Sequence, residues 1–159
     1  MGSVRIQVQE GSFDVAQELD ALLQRAPGAG AVASFIGRVR GGQSPVSTSD
    51  PHIGWLELEH YPGMTEKSIE RIAQQATKRF ELLATTVIHR VGRLAPGESI
   101  VLVLTASRHR KAAFDACEFV MDYLKLDAIF WKRERRGEVV VRIESTDADR
   151  ARARSWERS

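Results

Sequence analysis

The chain of 159 residues is predicted to fold as one α+β domain, residues 1–159, with a mixed or antiparallel sheet and three main helices. Three observations support this prediction. Several short segments alternate apolar and polar residues, which is typical of half-buried strands. Three longer segments repeat apolar residues at helical spacing. The resulting order, β-α-β-β-α-β-β-α-β-β, mixes hairpins with helices and therefore disfavours a doubly wound parallel sheet.

The first half begins with an alternating strand, VRIQV at 4–8, and a helix that ends at Pro27-Gly28. Residues 41–52, GGQSPVSTSDPH, have no apolar period and are predicted to form a mobile loop. The elements predicted for this half are strands at 4–8, 30–40 and 53–60 and helices at 14–26 and 62–80.

The second half contains the most apolar segment, SIVLVLTA at 99–106, which is expected to form a central strand. The tail at 148–159 has little to bury and is predicted to fray. The other elements predicted here are strands at 82–91, 128–134 and 139–144 and a helix from about 109 to 125.

Composition excludes several classes of protein. No apolar run approaches the roughly 20 residues that cross a bilayer, so no membrane partner is expected. The N-terminus lacks a secretory pattern and the chain has one cysteine, Cys117, which favours the cytoplasm. Cys117 lies among apolar helix residues and is expected to be a core residue. The chain has no phosphate-binding glycine loop, dinucleotide fingerprint or metal-ligand spacing, so neither metal nor cofactor is expected.

Charge is unevenly distributed along the chain. Residues 1–60 hold four Lys/Arg against seven Asp/Glu, and residues 61–159 hold nineteen against fourteen. The basic second half indicates an anionic ligand or an acidic partner, although a solvated surface with scattered lysines explains the same counts.

Cationic residues near the ends of elements are the candidates for a binding site. Arg38 and Arg40 lie two apart on one predicted strand and should share a face. His109 and Arg110 open the long helix, where free backbone N–H groups favour an anion. Arg38 and Arg40 also have a simpler interpretation as a solvated strand face.

Two lysines flank the turn after the long helix. Lys125 closes the helix and Lys132 stands in the apolar strand that follows it. A lysine beside apolar groups and other cations has a lowered pKa, which suits acid–base or covalent work. Lys125 could instead only complement the helix dipole, and Lys132 could reach water along Phe130.

Three ordered motifs resemble the large, catalytic subunit of molybdopterin synthase: GAVASFIGRVR (30–40), LELEHYPGM (56–64) and the segment from HRVGRLAPGE to FWKRE (89–134). The resemblance spans about residues 4–145. It implies an α/β hammerhead-type fold, a homodimer within a heterotetramer, and a ubiquitin-like sulfur-carrier subunit that ends in Gly-Gly. It further implies sulfur transfer from the carrier's thiocarboxylate to cyclic pyranopterin monophosphate, which forms the dithiolene of molybdopterin.

The same resemblance assigns roles to individual residues. It makes Lys125 and Lys132 catalytic. It makes Phe35 and Met121 pocket-lining positions, with groups drawn from two chains. The substrate-binding positions that it implies are Arg38, Val39, Arg40, His109, Arg110, Lys125, Lys132, Arg133 and Glu134.

The sequence departs from the family pattern at a few points. Ile129 stands where the family usually has proline, and Arg142 is the candidate for a further family arginine. The rival hypothesis is a non-enzymatic binding module that uses the basic half and the RARAR tail for nucleic acid or an acidic protein. No aromatic–basic motif of a nucleic-acid-binding domain supports it, so no nucleic-acid partner is expected.

Overall fold

In the described part of the chain the strands form two four-stranded sheets, flanked by four helices. The computed structural model describes residues 2–40, 53–128, 130–136 and 139–159. The loop predicted at 41–52 and Ile129 lie outside these described residues. The elements are β1 Ser3–Gln9, α1 Val15–Arg25, β2 Ala31–Arg38, β3 Ile53–His60, α2 Met64–Arg79, β4 Ala84–Arg90, β5 Gly92–Leu94, β6 Ser99–Ser107, α3 Arg110–Asp127, β7 Phe130–Arg136, β8 Val139–Ile143, α4 Asp147–Ser155 and a 3₁₀ turn Trp156–Arg158.

The first sheet has the strand order β1-β4-β6-β2 and forms the core. Strand β1 is parallel to β4, and the other pairs are antiparallel. Side chains alternate between two apolar layers, so that Val103 packs towards α2 and α3 while Leu102 and Leu104 pack towards α1. The central position predicted for 99–106 is therefore confirmed in β6.

The second sheet has the order β5-β3-β7-β8 and is antiparallel throughout. The chain enters it directly from β4 at Gly92, whose φ of 87° is accessible to glycine without strain. Its own small core contains Leu56, Leu58 and Leu94. The predicted α+β class is confirmed, although the strands form two sheets, one mixed and one antiparallel.

The C-terminal tail corrects one prediction. Residues predicted to fray form α4, so the described chain has four helices and not three. Thr146 caps the helix, and the Trp156 ring packs against Phe80 and Phe119 while its Nε1 donates to Asp122 at 2.8 Å. Tertiary packing by one tryptophan thus orders a segment whose own apolar pattern is weak. No described helix is long and apolar enough to span a bilayer.

Candidate active site

One cavity of about 640 Å³ lies where the end of α3, the β7–β8 hairpin and the start of α4 meet. We call it the lysine cavity, because the side chains of Lys125 and Lys132 both border it. The residues that line it are Arg40, Lys125, Leu126, Ala128, Phe130, Trp131, Lys132, Glu134, Arg142, Ile143, Glu144, Ser145, Thr146, Asp149 and Arg150.

The turn between α3 and β7 brings the two lysines together. Ala128 ends the helix in an extended conformation, with φ −69° and ψ 128°, and β7 begins two residues later at Phe130. Strand β7 therefore returns beside the end of the helix that carries Lys125. Two lysines that are weak candidates separately share one cavity.

Lys132 lies in an environment that disfavours its charge. Burial lowers the pKa of Lys132 below its ordinary value, the charge of Lys125 lowers it further, and Asp149 acts in the opposite direction. A lysine with a lowered pKa exchanges protons more readily near neutral pH, as acid–base catalysis requires.

Lys125 is more exposed and has a carboxylate partner. Its side chain is 53% exposed, and Nζ donates to Oδ1 of Asp149 at 3.4 Å. A backbone hydrogen bond from Thr146 holds the pKa of Asp149 below its usual value, and the charge of Lys125 contributes to this. Sequence reasoning missed Asp149, because it is 24 residues from Lys125 and lies in the tail that was expected to fray.

His89 supports the floor of the cavity from the first sheet. Its ring stacks on Phe130 with centroids 4.1 Å apart, and Nδ1 lies 2.8 Å from the carbonyl oxygen of Arg90. Since a carbonyl only accepts, Nδ1 carries the proton. Burial lowers the pKa of His89 to about 4, the Arg90 hydrogen bond opposes this shift, and Lys132 adds to it. The neutral ring fixes Phe130 at the start of the strand that carries Lys132.

The predicted arginine pair is divided by the structure. Arg40 lines the lysine cavity, whereas Arg38 donates to the carbonyl oxygen of Gly97 and does not line it. Strand β2 pairs with β6 through a register shift between Gly37 and Arg38 and ends at Arg38. Arg40 therefore lies beyond the strand, and the alternation on which the shared face was predicted does not reach it. Val39 is buried in the core of the second sheet.

The structure also separates Arg133 and Glu134, the two residues that follow Lys132 on β7. Glu134 lines the cavity, while Arg133 is paired with Glu57 and Glu59 of β3. Because neighbouring strand residues face opposite sides of a sheet, Lys132 and Glu134 share a face and Arg133 points away.

His109 and Arg110 lie at the other end of α3. Lys125 follows Arg110 by fifteen positions along the helix, which places their backbones about 22 Å apart. His109 borders a different cavity of about 740 Å³, together with Arg25, Lys78 and Arg108. One chain therefore does not bring the His109-Arg110 pair to the lysine cavity.

Phe35 and Met121 line a neighbouring groove of about 370 Å³ between β2 and α3, which Lys125 also borders. Cys117 lies beneath this groove, and burial raises the pKa of its thiol to about 11. The expected core position of Cys117 is confirmed. Across the described ranges no three His, Cys, Asp or Glu residues are placed to hold a metal ion.

Comparison with known proteins agrees with the geometry. A sequence model of the MoaE protein family matches residues 8–127. The molybdopterin synthase catalytic subunit of Pseudomonas aeruginosa is 49% identical over 152 residues, which cover 96% of this chain and 98% of that protein. The structure of the molybdopterin biosynthesis MoaE protein from Burkholderia ambifaria matches with a TM-score of 0.80 at 41% identity, over 97% of this chain and 98% of that one.

A third relative shares the fold at lower identity. It belongs to a protein–protein complex of subunits 1 and 2 of molybdopterin-converting factor from Helicobacter pylori, with a TM-score of 0.67 and 22% identity over 89% of this chain and 90% of that one.

Fold and cavity together define a class: a two-sheet α+β protein with a lysine-lined cavity. The chain belongs to the MoaE family of molybdopterin synthase catalytic subunits, and its role lies in molybdenum cofactor biosynthesis. The resemblance stated from the motifs is confirmed.

Proposed function

We propose that the chain is a sulfurtransferase that moves sulfur from the C-terminal thiocarboxylate of a small carrier subunit to cyclic pyranopterin monophosphate. Two such transfers form the dithiolene of molybdopterin. The observation that carries the proposal is the convergence of Lys125 and Lys132 on one cavity, with Arg40 and Arg142 beside them. With Arg150, five cationic side chains line this cavity, which suits a phosphate-bearing substrate and an incoming carboxyl-type tail.

The two lysines have different roles in this proposal. Lys125, half-exposed at the cavity mouth, fixes the negative charge of the thiocarboxylate or of the intermediate formed from it. Lys132, with its lowered pKa, exchanges protons with the reacting groups. Arg40 is placed to hold the phosphate. The sulfur arrives on the carrier, so the reaction requires no resident cofactor.

The remaining binding groups come from a second copy of the chain. His109 and Arg110 cannot reach the lysine cavity of their own chain, because α3 lies between them and Lys125. In a homodimer they complete the partner's cavity, with Phe35 and Met121 lining the approach. One carrier per protomer gives a heterotetramer, and the two-subunit complex from Helicobacter pylori supports a carrier partner. The cytoplasm, where Cys117 stays reduced, suits this assembly.

The rival binding module has lost its main motivation. The RARAR tail forms α4, whose Arg150 and Arg152 border the lysine cavity and the neighbouring groove. These arginines are therefore part of the walls of the candidate site and not a free basic tail.

The proposal is tested by Lys125→Ala in a reconstituted assay with thiocarboxylated carrier and cyclic pyranopterin monophosphate. We expect molybdopterin formation to fall by about 100-fold or more, because a preorganised charge at the reacting centre is lost. Lys111→Ala is the matched control: it lies on the same helix, is exposed, and pairs only with Asp115 among its described contacts. Near-normal formation by Lys125→Ala would remove Lys125 from the mechanism, and salt-dependent nucleic-acid binding without carrier binding would favour the rival module.

A further inference from the structure

The two carboxylate oxygens of Asp149 serve different partners. Oδ2 accepts the backbone N–H of Thr146 at 2.9 Å, and the N–H of Asp149 donates to Oγ1 of Thr146 at 3.2 Å. This reciprocal pair is a capping box at the start of α4. The second oxygen, Oδ1, lies 3.4 Å from Nζ of Lys125. The cap therefore fixes the carboxylate independently of the lysine.

Helix α4 is itself held against the helix that carries Lys125. Trp156 donates to Asp122 of α3 at 2.8 Å, and Ala153 is buried against the same helix. The side chain of Asp149 is 17% exposed, against 53% for Lys125. In this ion pair the carboxylate is the fixed member and the long lysine side chain is the mobile one.

We propose that Asp149 is a positioning residue, which holds the Lys125 ammonium at the mouth of the lysine cavity before the carrier tail arrives. This inference rests on the proposed function. A lysine side chain has four rotatable bonds, and an orienting partner reduces the rotamers from which the reactive one must be selected. Without Asp149 the ammonium samples the solvent around the cavity mouth.

Asp149 also acts on the second lysine. Its charge raises the pKa of Lys132, against the lowering caused by burial and by Lys125. The titratable and charged groups around Lys132 come from several elements: Lys125 on α3, His89 on β4, Glu134 on β7, Arg142 on β8, Glu144 after β8, Asp149 and Arg150 on α4, and Arg40 after β2. Removal of the Asp149 charge should therefore lower the pKa of Lys132 further, because burial and Lys125 already lower it.

Three variants separate positioning from helix capping. Asp149→Asn keeps an oxygen for the Thr146 N–H but removes the charge. Asp149→Glu keeps the charge and fits a capping box, in which glutamate is favoured at this position. Asp14→Asn is the matched control, because Asp14 caps α1 by accepting the backbone N–H of Gln17 and does not line the lysine cavity.

The measurement is kcat, KM for thiocarboxylated carrier, and the pH–rate profile of the assembled enzyme. We expect Asp149→Asn to lower kcat by about three- to fivefold, the scale of a partly exposed ion pair, without raising KM for the carrier. The limb of its pH–rate profile that reports the pKa of Lys132 should move to lower pH. Asp149→Glu should recover most of kcat, and Asp14→Asn should match the wild type in all three quantities.

Failure of this inference is distinct from failure of the proposed function. If the wild type makes molybdopterin and Asp149→Asn leaves kcat and the pH profile unchanged, Asp149 only caps α4. Equal losses in Asp149→Asn and Asp149→Glu would equally overturn positioning by charge. If the wild type itself makes no molybdopterin from thiocarboxylated carrier, it is the proposed function that fails.

Discussion

Both ends of α3 carry basic residues, but the surrounding elements enclose the two ends to different degrees. At the C-terminal end, Lys125 meets β7, β8 and α4 in one cavity, with a fixed counter-ion and a second lysine. At the N-terminal end, His109 and Arg110 are exposed, and the His109 side chain makes no cap to the helix. The chain therefore encloses the lysine end by its own folding, and under the proposed function a second chain completes the site with the other end.

The difference teaches that charge pattern alone does not define a site. Both ends of α3 are basic, yet only one is enclosed by further elements that shift a pKa and orient a side chain. Enclosure depends on the short turn at Ala128 and on α4, which the tryptophan of the tail secures.

The largest expected effect at the open end comes from Arg110→Ala. If Arg110 completes the cavity of a second chain, molybdopterin formation should fall by about 10- to 100-fold, as expected for loss of a charged ligand contact. The fold should be unchanged, because the side chain is exposed. Circular dichroism and thermal unfolding check the fold, with Lys111→Ala as the control in the assay. Full activity of Arg110→Ala would leave the N-terminal end without a role.

The closed end should depend on the anchor of α4. Trp156→Ala should lower the free energy of unfolding by about 2–3 kcal/mol, somewhat less than a fully buried aromatic residue, because Trp156 is half-buried. Chemical denaturation measures this effect. Protease cleavage within 147–159 should increase at the same time, whereas Trp55→Ala, on the second sheet, should not expose this segment. Unchanged stability would mean that α4 is held by other contacts.

The sequence predicts most of the helices and strands, whereas the contacts that distinguish the two ends of α3 depend on long-range packing. The apolar periods locate α1, α2, α3 and the central strand, because each element buries a regular face. Helix α4 is not predicted from apolar periodicity, because most of its residues are polar and one tryptophan beyond its end supplies the anchor. The contact between Asp149 and Lys125, the stacking of His89 on Phe130 and the register shift at Arg38 arise only from tertiary structure.

Lys132→Met should separate catalysis from stability at the closed end. Activity should fall, but Tm at pH 7 should rise by roughly 2–4 °C, since a partly buried charge is replaced by a similar apolar volume. The pKa of Lys132 is lowered in the folded state, so the unfolded chain binds more protons between that pKa and the ordinary value. Wild-type stability should therefore rise with pH across this alkaline window, and the Lys132→Met protein should lack this increase. A parallel pH dependence in both proteins would contradict the lowered pKa.

The smallest effect is expected for Cys117→Ala. Sulfur arrives on the carrier in the proposed reaction, and the raised pKa of about 11 keeps the thiol protonated. We expect activity close to that of the wild type and a loss of about 1 kcal/mol in stability from the removed sulfur. Complete loss of molybdopterin formation in a folded protein would indicate a persulfide on Cys117.

The central claim is that one active site combines the lysine end of one α3 with the His109-Arg110 end of another. Mixing the weakly active Lys125→Ala and Arg110→Ala proteins, under conditions that exchange subunits, tests it directly. Each mixed dimer would contain one site with both changes and one with neither. With random exchange, molybdopterin formation should return to about one quarter of the wild-type level. No recovery, with exchange verified by mass spectrometry, would contradict the claim and place both ends in the same chain's site or in none.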